Sequence, residues 1–72
     1  MMRNYLVIIE KANGNFSAYL PDVPGVIATG KNVEKTRKAI ETALTMHLNG
    51  LKEDGLPIPE PAAHADYVVS AI

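Results

Sequence analysis

The chain has 72 residues, 47% of them hydrophobic and 21% charged, with a formal net charge of -1 and no cysteine. That length fits one domain over residues 1–72; the charge excludes a general nucleic-acid binder, which needs a basic excess, and the missing thiols exclude disulfides and thiolate metal sites. No apolar run approaches the roughly 18 residues that span a bilayer, and the short apolar stretch after Met1-Met2-Arg3-Asn4 has no small-residue cleavage site, so a cytoplasmic protein without membrane attachment is expected.

The first predicted element is Tyr5-Leu6-Val7-Ile8-Ile9-Glu10-Lys11, aromatic and β-branched in the manner of a strand. Asn13-Gly14 follows, a pair suited to the positive φ angles of a tight hairpin turn. Phe16-Ser17-Ala18-Tyr19-Leu20 reads as the returning strand. Pro24-Gly25 carries a type II turn signature, with proline fixing φ and glycine taking the positive φ. Val26-Ile27-Ala28-Thr29 is a third, short strand, which completes an antiparallel meander. Gly30-Lys31-Asn32 then breaks the strand, and Asn32 is placed to cap a helix by accepting a backbone N–H. Val33, Ile40, Leu44, Leu48 and Leu51, with Ala39 and Ala43 beside them, form one apolar stripe over about 20 residues. Gly55 suits the residue just past the helix end. The alternating Pro57, Pro59 and Pro61 forbid a helix and favour an extended return path. Tyr67-Val68-Val69-Ser70-Ala71-Ile72 is the last predicted strand.

The element order is therefore β-β-β-α-β. The fold class is α+β: a mostly antiparallel four-stranded sheet in the order 3-2-1-4, with the last strand parallel to the first and one helix on one face. A hairpin closed at Asn13-Gly14 pairs Lys11 with Phe16, Ile9 with Ala18 and Val7 with Leu20, and puts those side chains on one face. The opposite face carries Leu6, Ile8, Glu10, Ser17 and Tyr19. One helix covers one face, so the first set is assigned to the helix and Leu6, Ile8 and Tyr19 remain uncovered. An apolar patch of that kind marks an interface. A domain of this size buries only about 60% of the surface of its unfolded chain, so association with another chain is the expected source of further stability.

No catalytic constellation is legible. His47 lies on or beside the apolar stripe, which fits a core or boundary histidine, and His64 falls in a loop. Neither has the spacing to a second ligand that a metal site requires. Glu34, Glu41, Glu53 and Asp54 belong to the polar side or end of a helix, where charges are ordinarily solvated. Asp22 precedes Pro24-Gly25 and is expected to accept hydrogen bonds from nearby backbone N–H groups. No serine or threonine stands at a spacing from histidine that suggests an activated nucleophile, and glycine-rich phosphate loops are absent. The chain is not expected to be an enzyme, to bind a metal or to need a cofactor.

The run Tyr19-Leu20-Pro21-Asp22-Val23-Pro24-Gly25 resembles the Pro-Asp-x-Pro-Gly signature of HicB-like antitoxins. The helix entry Gly30-Lys31-Asn32, the run from His47 to Gly55, Pro57-Ile58-Pro59-Glu60-Pro61 and the terminal segment extend the resemblance over nearly the whole chain. It implies a partly RNase H-like domain without that nuclease's metal-binding acids. It also implies a function: binding and masking HicA, a small mRNA-cleaving toxin with a double-stranded-RNA-binding-like fold. Self-association into a homodimer or larger homo-oligomer is implied as well. Family members often add a C-terminal DNA-binding domain, whereas this sequence stops at Ile72, so no direct nucleic-acid binding is expected of this chain alone. Leu6, Ile8, Tyr19, Pro21, Asp22, Pro24 and Gly25 are the candidate partner-binding residues, although Pro24 and Gly25 are better explained as turn-formers than as contacts. The competing functional reading is a non-catalytic oligomeric structural or small-ligand-binding domain without a toxin partner; a residual metal-dependent nuclease is a third.

Overall fold

The computed structural model describes residues 2–72. Its elements are β1 (Ile8–Ala12), β2 (Asn15–Tyr19), β3 (Ile27–Gly30) and α1 (Val33–Glu53). The strands form an antiparallel sheet in the order β1-β2-β3, and the helix packs across one face, mainly over β3 and β2. This is an α+β arrangement.

The hairpin register is the one its turn predicts, with Lys11 opposite Phe16 and Ile9 opposite Ala18. The turn itself differs in detail. Gly14 takes φ 79°, but no described non-glycine residue has a positive φ, so Asn13 does not adopt the left-handed conformation that a type I′ turn requires. Gly25 has φ 91°, as the second central residue of a type II turn demands. Alternation then divides the sheet. Ala18 and Leu20 are buried against the helix, with Val7, Ile9 and Ala28 half-buried around them.

Helix α1 begins where Asn32, in an extended conformation, accepts the Lys35 backbone N–H on Oδ1 at 2.8 Å. It ends in a Schellman motif: Leu56 N–H donates to Leu51 O at 2.9 Å and Gly55 N–H to Lys52 O at 3.1 Å, with Gly55 at φ 68°. The buried stripe departs from the predicted one at its first turn. Val33 is exposed, and Thr36 is the fully buried residue there at 0% exposure. Its hydroxyl donates to the Asn32 carbonyl at 2.7 Å, which removes the cost of burying it. Ile40, at 3% exposure, anchors the middle of the helix. Leu44, Leu48 and Leu51 are half-buried.

The core is thin. Leu20, Val23, Val26 and Ile40 are its large buried members, with Ala18 between them. Full burial of such side chains contributes about 1.5–3 kcal/mol each, a small reserve against the ordering entropy of the chain.

The expected fourth strand is absent. Residues 56–72 form no strand or helix, so the sheet has three strands and the order 3-2-1-4 is not adopted. Strand propensity alone does not make a strand; it needs a ladder and a face to bury, and residues 67–72 have neither. Tyr67, Val68 and Val69 are 97%, 95% and 95% exposed.

Candidate protein-interaction surface

Residues that contact through space first fix the path of the C-terminal segment. The Arg3 guanidinium donates to both Glu60 carboxylate oxygens, each at 3.3 Å. The Tyr5 hydroxyl donates to the Pro59 carbonyl. Asp22 Oδ2 accepts the backbone N–H groups of Ala62 and Ala63, both at 3.0 Å. These bonds to Ala63 and Ala62 hold the Asp22 carboxyl below the usual carboxylate range, helped slightly by His64 and opposed by partial desolvation. Three contacts thus hold the proline-rich segment as a strap against the N-terminal residues and the β2–β3 turn. The sequence placed Asp22 in a local turn; its partners lie forty residues further along the chain.

The sheet face opposite the helix is covered by no described helix. Ile8 pairs with Tyr19 and Tyr19 with Ile27, so the three side chains make one row across all three strands. Tyr19 is 45% and Ile27 69% exposed. Ile8 and Leu6 are half-buried rather than free, Leu6 and Ile8 lining a shallow groove whose other wall is residues 64–67. The next row on the same face, Glu10, Ser17 and Thr29, is polar. Ile27 was missed as a candidate. Its signal was available, since an antiparallel third strand that pairs Ala28 with Ala18 must set Ile27 beside Tyr19.

The turn candidates sit at one end of this row. Pro21, Pro24 and Gly25 are exposed, whereas Asp22 is half-buried and spends its carboxylate on the strap. A second groove runs between the N-terminal residues and the helix, with Ile40, Leu44 and Leu48 at its floor and Arg3, Arg37 and Glu41 on its rim. His47 and His64 are both exposed. Among the described residues, no three His, Asp or Glu side chains converge on a possible metal position. No described helix is long and apolar enough to cross a membrane.

A three-stranded sheet thus carries an apolar row on its helix-free face, beside a strap that leads into an exposed C-terminal segment. Residues 5–71 match the family model described as "HicB_like antitoxin of bacterial toxin-antitoxin system", and the chain belongs to that family. Among solved structures, it is similar to a chain of a "HicA3 and HicB3 toxin-antitoxin complex", with a TM-score of 0.70 and 30% identity, covering 83% of this chain and 70% of that one. Among curated proteins, it is 28% identical over 64 residues to the "Uncharacterized 14.9 kDa protein in rep-hol intergenic region" of Haemophilus phage HP1 (strain HP1c1). That match covers 89% of this chain and 48% of the phage protein, so the chain spans about half the length of this relative.

Proposed function

We propose that this chain is a cytoplasmic antitoxin that neutralises a HicA-type mRNA-cleaving toxin by protein–protein contact, without catalysis. The observation that carries the reading is the apolar row Ile8, Tyr19 and Ile27, exposed at Tyr19 and Ile27, on a domain of the HicB-like family. The similarity to a chain of a toxin–antitoxin complex supports the same partner class. The proposed contact surface is this row with Leu6, extended by Pro21, Pro24 and Gly25 at the turn; Asp22 anchors the adjoining strap through the Ala62 and Ala63 amides. The same shortage of core supports self-association of the antitoxin as a homodimer or larger homo-oligomer.

Co-expression is the direct test. Growth arrest caused by the toxin encoded beside this chain should be relieved by the wild-type chain, and the two should co-purify. Ile27→Glu leaves the thin core untouched because Ile27 is largely exposed. It should weaken toxin binding at least about tenfold, the effect of losing roughly 1.4 kcal/mol at a buried apolar contact. If no neighbouring product is toxic and none co-purifies, the antitoxin reading is lost. If binding occurs but Ile27→Glu and Tyr19→Glu leave it unchanged, the sheet face is the wrong surface.

A further inference from the structure

Residues 67–72 carry a strand sequence without a strand's partners. Tyr67, Val68, Val69 and Ile72 are large, apolar and almost wholly exposed. Among the described residues their side-chain-mediated hydrogen bonds are local: Tyr67 N–H to Asp66 Oδ1, and the Ser70 hydroxyl with the backbone of Ile72. The segment contains no charge, glycine or proline that would discourage pairing. At the same time β1 is an edge strand, bonded to β2 on one side and, among the described residues, to no strand on the other. The other edge strand, β3, packs one face against α1, whereas residues 64–67 run beside β1.

The surface area measures the same mismatch. A compact monomer of 7.8 kDa exposes about 4,400 Å² by the usual scaling with mass, whereas this chain exposes 5907 Å². The excess, about 1,500 Å², is larger than the roughly 800 Å² that each partner contributes to a standard interface. The radius of gyration agrees: 14.0 Å against about 11 Å for a compact domain of this length.

We propose that residues 67–72 pair with the open edge of β1 in a second copy of this chain, each copy donating its segment to the other. This rests on the self-association proposed above and names the segment responsible. One chain supplies both an unpaired strand and an unpaired β1 edge, so two copies related by a twofold axis can pair each segment with the partner's β1. The strap gives the geometry. Arg3, Tyr5 and Asp22 clamp residues 59–63, and residues 64–67 then pass beside residues 6–9, so the segment leaves the domain at the β1 edge. From there it projects without pairing to its own sheet.

The full chain in solution tests this. Light scattering after size-exclusion chromatography should show a dimer, and Val69→Pro should raise its dissociation constant at least about tenfold by removing one ladder donor and bending the segment. Val69 is exposed, so the variant keeps its fold. The chain has no native cysteine, so Ser70→Cys takes a nitroxide at a single site. Copies so labelled, mixed with unmodified ¹⁵N-labelled copies, should broaden the β1 amide signals of the ¹⁵N-labelled chain. A wild-type dimer that Val69→Pro leaves intact, with no broadening between chains, overturns strand exchange but leaves self-association standing. A wild-type chain that stays monomeric at high concentration overturns both. Broadening of β1 only within the nitroxide-bearing chain means that the segment closes on its own sheet, and the exchange is refuted.

Discussion

Replacing Gly30 with alanine tests a close approach between the end of β3 and the first turn of α1. Gly30 is not one of the glycines with positive φ, so alanine suits its backbone. Space is the constraint. A Cβ there would lie 2.6 Å from Thr36 Oγ1, 2.8 Å from Thr36 N and 3.0 Å from Thr36 Cα. The hydroxyl cannot swing away freely, because it donates to Asn32 O, and the nitrogen and Cα belong to the first turn of α1. Overpacking of this kind costs about 1–3 kcal/mol, against a gain of about 0.4–1 kcal/mol from the less flexible unfolded chain. The net loss, about 1–2 kcal/mol, is a sizeable part of the roughly 4–11 kcal/mol expected for 72 residues. Urea unfolding followed by circular dichroism should show a lower midpoint, and Tm should fall by about 4–16 °C. Adding Thr36→Ala removes the 2.6 Å clash but leaves the one with nitrogen, so the double variant should recover only part of the loss beyond the cost of Thr36→Ala itself. An unchanged or raised midpoint for Gly30→Ala refutes the reasoning. Full recovery in the double variant refutes the part assigned to the backbone.

Ile40→Ala empties the middle of the core and should cost about 2–5 kcal/mol, enough to erase most of the cooperative transition seen by near-ultraviolet circular dichroism. Asn32→Ala removes the bond to the Lys35 N–H and should cost about 0.5–2 kcal/mol in urea unfolding, without changing the C-terminal end of the helix. The Asp22 carboxyl should titrate below the ordinary value of about 3.9 in an NMR pH series, with the Ala62 and Ala63 amide shifts following it. Because its folded pKa is depressed, its contribution to stability is complete above the unfolded value and is lost as pH falls through the folded one. A midpoint at or above the ordinary value would contradict the strap.

The parts of this fold written in short stretches of sequence were legible. Asn13-Gly14 set the hairpin register, Asn32 and Gly55 marked the helix ends, and alternation identified Val7, Ile9, Ala18 and Leu20 as the helix-facing set. The rest depended on partners distant in sequence. Thr36 reads as polar until its hydroxyl is seen to have the Asn32 carbonyl as acceptor. Asp22 reads as a turn former, and nothing near it in sequence reveals Ala62 and Ala63. Residues 67–72 have every local property of a strand, and strand formation is the one property that a segment cannot supply alone. For the surface, Tyr19 was legible as exposed by alternation, while Leu6 and Ile8 proved half-buried because the strap carries residues 64–67 alongside them.

Asp22 joins the two proposed surfaces and allows them to be separated. Its backbone belongs to the turn between β2 and β3, whose strands present Tyr19 and Ile27 to the proposed toxin. Its side chain holds Ala62 and Ala63, just before the segment proposed to cross to a second copy. Asp22→Ala therefore frees the base of that segment while leaving the strand pairing of Tyr19 and Ile27 in place. A looser base raises the entropy lost when the segment docks, and such a loss weakens association without removing any contact from the interface. Self-association should thus weaken more than toxin binding, each measured by titration calorimetry on the full chain. The reverse order would mean that the Asp22 carboxylate meets the toxin directly, and that the strap is secondary to that contact.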